Sequence, residues 1–221
     1  MIDMVFKRKL TAEEVRIIER IVDFVKDKHQ RAEGHDYSHV LEVCRLSIEI
    51  SHKIKDPVEP FILMCGALLH DVGRINSPNG LFHGIDGGAR AEELLESYID
   101  DDFVNKQIQR VIVRHTPESM ISPESAEEKV VFDADTIERL GFMGMVRGIM
   151  GKTGTMEFII DDRIHKRLAD YDKLYYSASR YMAKKAYKET IAVSKTLKKD
   201  LARRAKEIHE ITSYKLVKGE Y

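Results

Sequence analysis

Phe61-Ile-Leu-Met-Cys-Gly-Ala-Leu-Leu69, continued by His70-Asp71-Val72-Gly73-Arg74, is the stretch that decides how this chain folds. The run is almost wholly apolar, so it reads as a helix buried on every side, from about Glu59 to His70. Asp56-Pro57 breaks the chain just before it. An imidazole and a carboxylate side by side at the end of such a helix cost several kcal/mol, to order of magnitude, unless something pairs with them. A divalent metal ion is such a partner.

Working outward, the pattern is helical nearly throughout. Thr11-Ala-Glu-Glu14 is a capping box. Val15, Ile18, Ile21, Val22 and Val25 follow it at helical spacing, predicting a helix to about Lys28. Gly34-His35-Asp36-Tyr37 reads as a loop before a second helix that ends near Lys53. His39, Val43, Leu46 and Ile50 share one face of that helix, so His39 heads an inward stripe. Ile75-Asn-Ser-Pro-Asn-Gly80 is turn-rich. Amphipathic helices are expected near 85–98 and 101–115. Ser122-Pro123 reads as an N-cap with proline at the first helical position. Glu128 to Leu140 reads as a helix that Gly141 ends, with Val130-Val131-Phe132 as an alternative strand. The C-terminal third, about 157–215, predicts two long helices, split near Asp161 and again near Lys195 to Lys199. The expected architecture is all-α: one domain over 1–221, with a helical-bundle core at about 35–140 and the C-terminal helices packed on it.

Composition limits the partners. Thirty-six basic and 37 acidic residues leave a formal net charge of -1, so no global field favours nucleic acid or a membrane surface. The apolar runs fall short of the ~18 residues a membrane span needs. The first residues lack the apolar stretch of a signal peptide. A cytoplasmic protein with no membrane partner is expected. Cys44 and Cys65 both lie in apolar stretches and read as small buried hydrophobes. Lys184 to Lys206 holds nine Lys/Arg against Glu189 and Asp200, which reads as a solvated helix face, with nucleic-acid binding as the minor alternative. Tyr171, Tyr175, Tyr176, Tyr181 and Tyr187 read as packing residues.

Histidines and aspartates supply the chemistry. His39, His70, Asp71 and Asp135 would give two imidazoles and two carboxylates, a mixed set suited to Mn, Fe, Co, Ni or Zn, with Mg a further option. Such a set leaves positions open for water and substrate. Asp133 competes with Asp135. His35-Asp36 repeats the dipeptide but precedes a helix, where Asp36 fits an N-cap and His35 could line the pocket.

In order and context, these segments resemble the HD superfamily of metal-dependent phosphohydrolases. Asp36-Tyr-Ser-His39-Val, Ala67-Leu-Leu-His-Asp-Val-Gly-Arg74 and Phe132-Asp-Ala-Asp135 are similar to the motifs that carry its metal ligands, and the alanine before Asp135 favours it over Asp133. His83 in His-Gly-Ile-Asp-Gly-Gly-Ala89 and His115 in Val111-Ile-Val-Arg-His-Thr-Pro117 resemble two further family elements, and would hold a second ion that Asp71 bridges. The resemblance covers about 35–140. It implies a bundle of the HD-domain type, one or two divalent ions, and hydrolysis of a small phosphorylated substrate, a nucleotide foremost, by a metal-activated water. Asp71 would be both ligand and catalytic residue, orienting or deprotonating that water. Arg74 and Arg114 flank ligands in sequence and are candidates for binding substrate phosphate. Two other classes stay open: a metal- and ligand-binding regulatory module without turnover, and a nucleic-acid binder using the basic C-terminal helices.

Overall fold

The structure, a computed structural model, describes residues 6, 8–29, 35–75, 82–150 and 152–212. It is all-α. The helices of the described residues are α1 (Ala12–Lys28), α2 (Tyr37–Ser51), α3 (Pro60–Leu69), α4 (His83–Glu96), α5 (Asp102–Arg114), α6 (Ala126–Glu138), α7 (Gly141–Ile149), α8 (Met156–Asp170) and α9 (Ser177–Thr212). Short 3-10 turns cover Val72–Arg74, Pro117–Ser119 and Tyr171–Lys173. The only extended pairing among the described residues is the isolated contact of Phe6 with Val58. None of their helices is long and apolar enough to cross a membrane. Most of the expected turn at 75–80, with Gly34 and the chain beyond Thr212, lies outside the described residues.

The apolar run is the axle of the fold. Phe61, Leu63, Cys65, Ala67, Leu68 and Leu69 of α3 are all buried, and α1, α2, α5 and α6 pack around them. Pro60 opens α3, where its missing N–H costs nothing. The Thr11/Glu14 capping box forms as read, and α1 turns Ile17, Ile21 and Val25 inward. In α2, Val43, Leu46 and Ile50 are buried together with His39. Cys44 and Cys65 are free and buried, and burial pushes the Cys44 thiol up to about 12.

Behind α3 the chain turns sharply, and Gly73 is what permits it. A Cβ at this position would collide with the His83 carbonyl and the Gly87 amide of α4. The absent side chain lets the turn after Asp71 lie directly on the start of α4.

Four sequence expectations are corrected, while the helical reading of Val130-Val131-Phe132 holds. Ser122-Pro123 does not cap a helix; Ser125 does. Its hydroxyl accepts from Glu128 N, while the Glu128 carboxylate accepts from Ser125 N. That reciprocal pair satisfies two backbone donors that a serine–proline start would leave open. Val130-Val131-Phe132 is inside α6, not a strand, and Gly141, at φ +77°, opens α7 after α6 has ended at Glu138. The C-terminal third breaks at 171–176, not at Asp161 or Lys195–Lys199. The cause is tertiary: the buried Asp133 carboxylate accepts from Tyr175 N (2.8 Å) and Tyr176 N (3.0 Å), pinning the chain between α8 and α9 to α6. From there α9 runs on, packed against α6, α7 and α8, with the nine basic residues of 184–206 exposed. Tyr171 stacks on Tyr187, whereas Tyr181 is exposed rather than packed.

Candidate metal centre

Four helix ends and one helix interior deliver the site. Asp36 accepts from His39 N (3.1 Å), which fixes the start of α2 and aims His39 into the core. His70 follows the last turn of α3, and Asp71 comes next, before the 3-10 turn. His83 is the first residue of α4, His115 follows the last turn of α5, and Asp135 sits within α6. All six are buried, with His70 and His115 wholly so.

They converge. His39 Nε2 lies 3.2 Å from His70 Nε2, 3.4 Å from Asp71 Oδ2 and 3.6 Å from Asp135 Oδ1. His83 Nε2 lies 3.1 Å from His115 Nε2 and 3.4 Å from Asp71 Oδ1, and His115 Nε2 is 3.6 Å from the same oxygen. Asp71 thus stands between two groups, with one oxygen toward each. His35 joins the first: its Nδ1 is 2.6 Å from Asp71 Oδ2. Three overlapping sets have their atoms close enough to share an ion: His35/His39/Asp71, His39/His70/Asp135 and Asp71/His83/His115.

The donor chemistry fits a cation. His70 Nδ1 donates to the Ala67 carbonyl (2.8 Å) and His115 Nδ1 to the Ile112 carbonyl (2.6 Å). A carbonyl only accepts, so both Nδ1 atoms carry the proton and both Nε2 atoms present lone pairs inward. Two inward lone pairs and two buried carboxylates make a lining of acceptors, which a positive ion satisfies. Burial opposes ionisation of Asp71. His35, Arg74 and His70 outweigh it and hold the carboxyl well below its usual range. Asp135 is also held low: against burial stand Arg139, His39, His70 and His115. Burial presses the His115 ring down to about 4, so it is neutral near pH 7.

The flanking arginines diverge. Arg74 Nε donates to Asp71 Oδ1 (3.0 Å), and its Nη2 lies 3.2 Å from His83 Nε2. Arg114 instead reaches the Ser122 carbonyl (2.8 Å), Glu124 (3.0 Å) and Glu128 (3.4 Å), away from the histidine cluster. Asp133, the rival of Asp135, is occupied by the backbone of Tyr175 and Tyr176.

Four neighbours of the site were not singled out from sequence. Glu118 Oε2 lies 3.3 Å from His83 Nδ1, and that hydrogen bond holds its carboxyl down at about 2. Glu138 and Arg139 follow Asp135 by one helical turn, a spacing that could have flagged them. Glu138 Oε2 is 3.5 Å from His39 Nδ1, and Arg139 Nη2 is 3.5 Å from Asp135 Oδ2. Arg147 of α7 pairs with Glu138 and reaches His39 Nδ1, a tertiary approach with no sequence signal. A separate groove of about 510 Å³ runs between α2 and α9, lined by Glu42, Arg45, Met143 and Tyr181, and shares only Glu138 with this site.

Known proteins are similar to this chain in sequence and in fold. The chain is 25% identical over 182 residues to the uncharacterized protein YpgQ of Bacillus subtilis, covering 76% of this chain and 85% of that protein. It is 28% identical over 155 residues to a tRNA (cytidine(56)-2'-O)-methyltransferase of Picrophilus torridus; that stretch is 60% of this chain but only 42% of the methyltransferase. The crystal structure of YpgQ in complex with ADP superposes with a TM-score of 0.65 at 22% identity, covering 85% of this chain and 96% of that one. An HD-superfamily hydrolase from Bacillus thuringiensis gives 0.62 at 22% identity, covering 86% and 98%. These superpositions establish the fold. The HD domain family model matches residues 36–140, the span that contains His39, His70, Asp71, His83, His115 and Asp135. Residues 36–140 therefore form an HD domain.

Proposed function

We propose that the chain is a divalent-metal-dependent phosphohydrolase that cleaves a phosphate ester or anhydride of a nucleotide or another small phosphorylated molecule. The observation that carries this reading is the divided carboxylate of Asp71, with Oδ2 toward His39 and Oδ1 toward His83. His39, His70, Asp71 and Asp135 would hold one ion, of Mn, Fe, Co, Ni, Zn or Mg, and Asp71, His83 and His115 a second. When bound, such ions supply an acidified water and neutralise charge on phosphoryl oxygens.

The chain's own residues do the rest. Asp71 orients the attacking water. Its carboxyl is held far below neutrality, which suits accepting a hydrogen bond better than keeping a proton. Arg74, beside Asp71 and partly exposed, would donate to a phosphate oxygen. His70 and His115, held by backbone carbonyls, keep the geometry rigid. Support for a nucleotide comes from the YpgQ relative, whose structure is a complex with ADP.

Elemental analysis of the purified protein, coupled to hydrolysis assays on nucleoside mono-, di- and triphosphates with each metal, tests the reading. Bound transition metal with metal-stimulated phosphate release is expected. Bound metal with no turnover across the panel would replace it with the non-catalytic regulatory reading.

A further inference from the structure

Beyond the six candidate ligands, the chain gathers two buried guanidinium groups whose Nε donors find no acceptor. Arg139, at the end of α6, donates through Nη2 to Thr136 Oγ1 (2.6 Å) and lies 3.5 Å from Asp135 Oδ2. Its Nε is buried with no acceptor. Arg167 of α8 donates through Nη1 to Asp170 Oδ2 (3.0 Å), and its Nε too is buried with no acceptor. Only 15% and 9% of the two side chains is exposed. Asp170 is the carboxylate both arginines feel, and it is also taken by Lys173 at 3.0 Å. Asp170 thus has two close cations, Arg167 and Lys173, while Arg139 lies against Asp135. Arg163 next to them does not help, because Asp162 neutralises it. The arrangement is built rather than incidental: Arg163 and Arg167 cross α7 at Gly148, where a Cβ would come within 2.8 Å of Arg167 Nη2.

Two buried guanidiniums with unmet Nε donors, one of them against a candidate metal ligand, call for an anion. We propose that Arg139 and Arg167 form an anion subsite adjoining the His/Asp centre, which receives a second phosphoryl group of the substrate. This rests on the phosphohydrolase reading and narrows its substrate class to diphosphates and longer phosphate chains. Arg139 spans the two regions, with its Nη2 toward Asp135 and its charge felt at Asp170 beside Arg167.

Calorimetric titration of inorganic pyrophosphate and orthophosphate into the purified, metal-loaded protein tests the subsite without relying on turnover. Pyrophosphate is expected to bind at least about tenfold tighter than orthophosphate, a difference of about 1.4 kcal/mol. Arg167→Gln is expected to erase that preference and leave orthophosphate binding within about twofold, while Arg167→Lys keeps part of it. Arg139→Gln supplies the same comparison should Arg167→Gln fail to fold. Equal pyrophosphate affinity in wild type and a folded variant would overturn the subsite, as would a wild type that shows no preference. Absence of hydrolysis on the nucleotide panel would sink the phosphohydrolase reading alone, leaving the pyrophosphate preference to decide the subsite.

Discussion

His70 Nε2 faces His39 Nε2 across 3.2 Å, and the neutral ring, with Nδ1 turned to a carbonyl, has no proton to offer there. Its only N–H points back to the Ala67 carbonyl. The same holds for His115, which faces His83 at 3.1 Å while its N–H points to the Ile112 carbonyl. Two helix C-termini thus use their last free carbonyls to lock two rings in one tautomer. The fold spends backbone acceptors to present lone pairs inward, and Asp71 lies between the two rings' partners.

The two groups are separable by mutation. His70→Ala or Asp71→Ala is expected to lower metal content more than about tenfold and to remove hydrolysis, since changes even one shell further out cost about 10–100-fold. His115→Ala strips only the Oδ1 side of Asp71, so metal per chain is expected to fall to about half while His39, His70 and Asp135 retain theirs. Elemental analysis of the three variants, alongside activity, reads this. Undiminished turnover in His70→Ala would sink the mechanism.

Much of this was legible because the decisive signals are local. Thr11/Glu14, Asp36 and the stripe below His39 are short-range patterns, and each formed as read. The convergence of six residues from five helices is not a local property, and spacing alone did not fix it; the resemblance of whole segments did. What sequence missed is tertiary. Asp133 breaks the chain at Tyr175 and Tyr176 from 42 residues away, and no composition shift marks that point. Ser125 was overlooked for a different reason: Ser122-Pro123 is a louder cap signal, although Ser125-x-x-Glu128 carries the reciprocal bond. Arg114 turns toward Ser122 and Glu128, and adjacency to His115 in sequence says nothing of direction at the end of a helix.

Acid should destabilise the metal-depleted protein from near neutrality downward. The folded His115 ring titrates at about 4, against 6.5 in the unfolded chain. Between those values the unfolded chain binds a proton that the folded one refuses, so stability falls as pH falls. The loss from this ring is roughly 3 kcal/mol at most. Asp71 and Asp135 act in the same direction at lower pH: their folded carboxyls are depressed, so their contribution is present above 3.8 and is lost below it. Urea midpoints at pH 7, 5.5 and 4 are expected to decrease in that order. A midpoint that does not move between pH 7 and 4.5 would contradict the burial argument for His115.

Arg74 and Arg114 looked equivalent in sequence and should behave oppositely. Arg74 contacts Asp71 and approaches His83, so Arg74→Ala is expected to raise KM for a phosphorylated substrate about tenfold or more, with the thermal midpoint of the metal-loaded protein nearly unchanged because a bound cation still compensates the Asp71 carboxylate. Arg114 instead helps Arg110 to neutralise Glu128, whose side chain is buried and which also accepts from the backbone of Glu124 and Ser125 at the start of α6. Removing Arg114 leaves that buried carboxylate with one cation, a loss of about 1–3 kcal/mol. Arg114→Ala should therefore lower the thermal midpoint by several degrees and leave KM within about twofold. Measuring KM and thermal midpoint for both variants separates the roles. A raised KM in a fully stable Arg114→Ala would show that Arg114 leaves Glu128 to meet the substrate.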